Sequence, residues 1–148
     1  MVANIIILAV SLGMFLYWFR YTCVLMLSAR TTKDYGAEVA ATNRLSYVAF
    51  EGGVDGISAP ELDAVQQSLE RDYRLVSSLL KQAGEWRVGS NSLEDLMLRA
   101  DFRLMKLCYS LSRRISDTKA RSAVNEMVQI VSHMANAFGE QSTQPARL

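Results

Sequence analysis

The opening stretch constrains this chain most. Residues 1–19 carry no charged side chain, and only Asn4 and Ser11 are plainly polar among them. An α-helix rises about 1.5 Å per residue and a bilayer core is roughly 30 Å thick, so residues 2–21 are long enough to cross once. The run ends in Tyr17, Trp18, Arg20 and Tyr21. Aromatic rings settle at headgroup level and a guanidinium reaches for phosphate, so these four form an interfacial collar. Residues 1–30 are therefore expected to be a membrane anchor, and everything after them to be tethered.

A cleaved signal peptide is the competing reading. The apolar run is longer than the usual apolar region of such a peptide, no basic segment precedes it, and Leu27-Ser28-Ala29 is a poor cleavage site. The anchor is expected to be retained. No Lys or Arg precedes the span, whereas Arg20, Arg30 and Lys33 follow it. Positive-inside bias then predicts a plasma (inner) membrane protein with its amino terminus outside and its bulk in the cytoplasm. Were the span centred on residues 5–27, Arg20 would lie in the apolar layer and need a polar partner from another subunit. Ala9 and Gly13 form a small-xxx-small pair that lets two spans approach.

The remaining length allows one small domain. The chain of 148 residues has 16 Lys plus Arg against 15 Asp plus Glu, and the balance persists locally. Residues 1–58 carry four of each sign, residues 59–116 nine basic and eight acidic, and residues 117–148 three of each. No segment has the positive surplus that phosphate backbones select, which argues against a nucleic-acid partner. Cys23 and Cys108 follow neither ligand nor disulfide spacing, as expected in a reducing compartment.

Residues 31–57 read as an extension of the anchor helix followed by a linker, with Gly36 its weakest point and Gly52, Gly53 and Gly56 a flexible loop. No branched strand precedes those glycines and no Gly-Lys-Ser/Thr follows, so they are not read as a phosphate cradle. Residues 58–139 read as a helical bundle. Ser58-Ala59-Pro60-Glu61 has capping-box chemistry, and Leu62, Val65, Leu69, Tyr73, Val76 and Leu80 form one apolar stripe up to a stop at Gly84. A second helix opens near Asn91 with Leu93, Met97, Ala100, Leu104, Leu107 and Leu111 in alternating steps of four and three. A third carries Ala120, Val124, Met127, Val131, Met134 and Phe138, ending at Gly139. Three heptad-like repeats are short for an extended coiled coil, so packing as a bundle is the economical reading. The polar tail, residues 140–148, is expected to be disordered. Asp72-Tyr73-Arg74-Leu75 is echoed by Asp101-Phe102-Arg103-Leu104.

Chemistry is sparse. His133, the single histidine, has no second ligand at helical pitch. Ser77, Ser78, Ser110 and Ser112 lack a nucleophile elbow, and the acids alternate with Arg and Lys as on solvated faces. The methionines Met97, Met105, Met127 and Met134 suit core filling, and Trp86 beside Arg87 suits a contact with protein or lipid. The expectation is an all-α protein, one transmembrane helix followed by a small bundle of about three helices, with no catalytic residue, metal or cofactor. Its expected partners are membrane lipid and protein, including copies of itself as a homo-oligomer. Ala9, Gly13, Leu93, Met97, Leu104 and Leu111 are the candidate helix–helix contacts. The alternative is an accessory subunit of an energy-converting or transport complex.

Overall fold

The computed structural model describes residues 1–28, 34–85 and 93–143, and every regular element among them is helical. The elements are α1 (Val2–Ser28), α2 (Gly36–Asn43), a 3-10 turn (Tyr47–Phe50), α3 (Ala59–Glu85), α4 (Leu93–Ser112) and α5 (Asp117–Thr143). The chain divides into two units, Met1–Arg30 and Thr31–Leu148.

The first unit is α1. It is apolar on every side, with no acid in its first turn and no base in its last, and no residue of its most apolar window is buried. It is long and apolar enough to span a membrane. At its end the Thr22 hydroxyl donates to the Trp18 carbonyl at 2.9 Å, which satisfies that donor within the helix's own backbone. Trp18 meets Tyr21 edge-on with ring centroids 6.0 Å apart.

In the second unit α5 is the central element, packed against α2, the 3-10 turn, α3 and α4. Its buried residues include Ala120, Ala123, Val124, Met127, Ile130, Val131, Met134 and Ala135, a wide apolar arc in which the alanines let neighbours come close. Of the expected stripe on α3, Leu62, Val65, Leu69 and Val76 lie in the core and Tyr73 and Leu80 are half-buried. At its start the Glu61 carboxylate accepts from the Ser58 amide at 3.0 Å and the Ser58 hydroxyl at 2.7 Å.

Four details differ from the sequence reading. Gly139 does not end the last helix, which continues to Thr143, so residues 140–143 of the expected tail are helical. A Cβ on Gly139 would lie 2.4 Å from the Tyr35 Cβ, so this glycine is there for a close approach. Gly84 does not end α3, which reaches Glu85. Gly36 opens α2 instead of weakening an extension of the anchor, and the Tyr47 hydroxyl donates to its carbonyl at 2.9 Å.

The glycine-rich segment is likewise no free linker. Val54 is fully buried, its amide donates to the Asn125 side chain at 3.0 Å, and its carbonyl accepts from the Arg121 guanidinium at 2.9 Å. Gly53 and Gly56 hold φ of 102° and 87°, values that L side chains rarely adopt, and so shape the turn around that anchored valine. Gly content marks a sharp turn as readily as a mobile one, and here side chains of α5 hold it.

Candidate interaction surface

Two apolar arcs compete on α4. Leu98, Phe102, Met105 and Tyr109 form one 4-3-4 series, and Leu93, Met97, Ala100, Leu104, Leu107 and Leu111 form another. The first is buried against the bundle, together with Asp101. The second, which the sequence pattern singled out for its regular spacing, is turned away: Leu93, Leu107 and Leu111 are 71%, 57% and 61% exposed, Ala100 is exposed, and Met97 and Leu104 are half-buried. The reason is size and satisfiability. Phe102 and Tyr109 bury more area than leucines, and Tyr109 finds a partner for its hydroxyl.

That partner lies on α3. The α3 and α4 backbones are not in contact among the described residues, and long side chains bridge them. Tyr73 stacks on Phe102 with centroids 3.9 Å apart and planes 4° from parallel. The Lys106 ammonium donates to Glu70 at 2.6 Å, Arg74 reaches the same oxygen at 2.7 Å, and Asp63 takes both the Tyr109 hydroxyl and the Arg113 guanidinium. The Lys106 bond holds the Glu70 carboxyl below its ordinary range, against a smaller opposing effect of burial. Burial, then the bond to Asp63, pushes the Tyr109 phenol up to about 12. Burial likewise raises the Tyr47 phenol, followed by the field of Glu51.

Asp72 is an interior cap that spacing alone did not reveal. It is 1% exposed, and its Oδ2 accepts from the Ser46 amide (2.6 Å), the Ser46 hydroxyl (2.7 Å) and the Tyr47 amide (3.0 Å) at the head of the 3-10 turn. A carboxylate aimed at orphan amides of a helical start is the arrangement that macrodipole and capping both favour. The only hint in the sequence was the echoed tetrapeptide. Asn136, whose Oδ1 accepts from the Tyr35 amide at 2.6 Å, and Asn125 escaped notice because distant residues supply their partners.

The remaining candidates are placed as follows. Tyr17, Trp18 and Tyr21 are exposed on α1, and Arg20 is half-buried. Ala9 and Gly13 are exposed, and nothing lies within 4 Å of a Cβ built on Gly13. His133 Nε2 sits 3.0 Å from a Glu94 carboxylate oxygen. Cys108 is half-buried because it lies on the edge of the outward arc of α4, and neither it nor Cys23 forms a disulfide among the described residues. No three His, Cys, Asp or Glu residues converge as a metal site among the described residues. Trp86 and Arg87 lie outside the described residues, as do residues 144–148 of the tail. Among the described residues the bundle leaves an apolar arc of α4 uncovered, and ion pairs from Lys106, Arg113 and His133 tie α4 and the turn after it to α3 and α5. Comparison with known proteins yields no match to a family model, a curated protein or a solved structure.

Proposed function

We propose that this chain is a single-pass, membrane-anchored, non-catalytic scaffold that assembles with other proteins, in the first instance with copies of itself through its span. The observation that carries the reading is α1: a 27-residue helix, apolar on all sides, with its Ala9 and Gly13 uncovered. A helix with no polar face needs a nonaqueous surrounding, and small residues one turn apart permit backbone-to-backbone approach of a second span. The basic residues Arg20, Arg30 and Lys33 on the C-terminal side favour a cytoplasmic bundle at the plasma (inner) membrane.

The test is mild detergent extraction of the tagged full-length chain, with size measurement and mass identification of what co-purifies. A homogeneous particle holding this chain alone, dispersed by Gly13→Leu, supports self-assembly. Stoichiometric recovery of other membrane subunits, lost on Arg20→Gln, replaces it with the accessory-subunit reading. A reporter fused to either end checks the orientation.

A further inference from the structure

The outward arc of α4 is the largest apolar feature that the bundle leaves uncovered among the described residues. Leu93, Leu96, Leu107 and Leu111 are 71%, 65%, 57% and 61% exposed, and Ile115, in the turn that follows, is 84% exposed. Isolated exposed leucines are ordinary, but a row of them along one helix marks a contact surface. At 20 residues the helix is about 30 Å long, and exposed leucines mark this face at both of its ends.

We propose that this arc lies on an anionic lipid surface, with the leucines entering the headgroup boundary and Arg103 and Arg114 engaging phosphates. The proposal rests on the membrane-anchored reading above. Charge is the first argument. Among the described residues the ionic side chains along the arc and in its following turn that are not tied to a partner helix are Arg103 and Arg114, both exposed, and no acid lies between them: Asp101 is fully buried, Glu94 and Asp95 lie toward His133 and Arg99, and Arg113 is held by Asp63. Leucines flanked by arginine are the composition of a helix that lies in an interface, where the guanidinium stem stays with the apolar layer and the head reaches phosphate.

The same charges disfavour a second copy of the arc. Helices that pair through such a row are registered by opposite charges along its edges. Here an antiparallel pair centred near Phe102 brings Arg103 of each copy to the same edge, and a parallel pair offers Arg103 no acid, since the acid on the other edge, Asp101, is buried. A tether adds the last argument: a span inserted in a bilayer keeps the bundle beside lipid and raises the local concentration of that surface above that of any dissolved partner.

The test uses the full-length chain with Cys23→Ala and Cys108→Ala, spin-labelled through Leu107→Cys or, as control, Gln129→Cys on the exposed side of α5. It is reconstituted into vesicles of phosphatidylcholine or of an equimolar mixture with phosphatidylglycerol. The expected result is a Leu107 label more accessible to oxygen than to chelated nickel, with the preference larger on anionic vesicles and reduced by Arg103→Gln plus Arg114→Gln, while the Gln129 label stays water-exposed. Equal water exposure of both labels overturns the lipid contact. So does spin–spin broadening of the Leu107 label that vanishes on dilution with unlabelled chain, which assigns the arc to a second copy. An alkaline carbonate wash separates the two readings. A chain that stays in the bilayer with a water-exposed Leu107 label refutes the α4 contact alone, and a chain that washes off refutes the anchor and the contact together.

Discussion

Tyr73 of α3 lies face to face with Phe102 of α4, 3.9 Å between centroids and 4° from coplanar. These are equivalent positions in the two echoed tetrapeptides, and the preceding acids, Asp72 and Asp101, are both buried. Both helices pack on α5, and the rings bridge them where the backbones do not meet.

Removing that bridge is expected to be costly. Phe102→Ala is expected to destabilise the bundle by about 3–5 kcal/mol, since a fully buried ring is lost and α5 cannot fill the void. Tyr73→Leu keeps apolar volume but loses stacking, a loss of about 0.5–1.5 kcal/mol beyond area. Denaturant unfolding of the two single variants and the double variant gives the coupling, and additivity within error would disprove a specific ring–ring contribution.

Asp72→Ala is expected to lower stability by about 1–3 kcal/mol, because the Ser46 and Tyr47 amides lose their buried acceptor. Asp72→Asn keeps an acceptor oxygen and is expected to recover part of the loss. Amide hydrogen exchange locates the effect: protection at Ser46 and Tyr47 falls first. Unchanged protection there would remove the capping role.

The pH dependence has a sign at each end. Glu70 has its carboxyl held below its unfolded value, so the stability it contributes is present above that value and is lost as pH falls through the lower folded one. The Tyr109 phenol is raised to about 12 from an unfolded 10, so its contribution is complete below pH 10 and lost between there and about 12. Tyr109→Phe is expected to flatten the alkaline limb, and Lys106→Met the acidic one. The ultraviolet absorbance of tyrosinate, followed with helix content against pH, measures both.

Sequence period located α3 and α5 because each has one apolar arc, and Leu62, Val65, Leu69 and Val76, or Val124, Met127, Val131 and Met134, had no rival. On α4 it singled out the regular leucines, which face outward, and did not show that Phe102, Met105 and Tyr109 form the buried arc, because period carries no information about ring area or the partner waiting on α3. Residues 34–58 were illegible for another reason. They have little periodicity of their own, and what orders them, Asp72, Arg121, Asn125 and Asn136, sits far along the chain in α3 and α5. The apolar length of α1 was plain from composition, because a run long enough to cross a membrane is a local property of the sequence.

Gly139 gives the sharpest check on that nonlocal order. In an exposed helix interior Gly→Ala stabilises by about 0.8–1 kcal/mol, so propensity alone predicts a gain at this position. Packing predicts the opposite. The added methyl would stand 2.4 Å from the Tyr35 Cβ and 3.2 Å from a Val39 methyl, on the segment whose Tyr35 amide is tied to Asn136 one turn earlier. A backbone-proximal Cβ cannot swing aside, so α2 must lift from α5, and Gly139→Ala is expected to destabilise by about 1–3 kcal/mol, the range for overpacking. Its signature is local: faster proteolysis and exchange over residues 34–50 with α3 and α4 unaffected. Tyr35→Gly in the same chain removes the Cβ that the new methyl would meet and is expected to recover part of the loss, whereas a stabilised single variant would show that propensity outweighs the close approach.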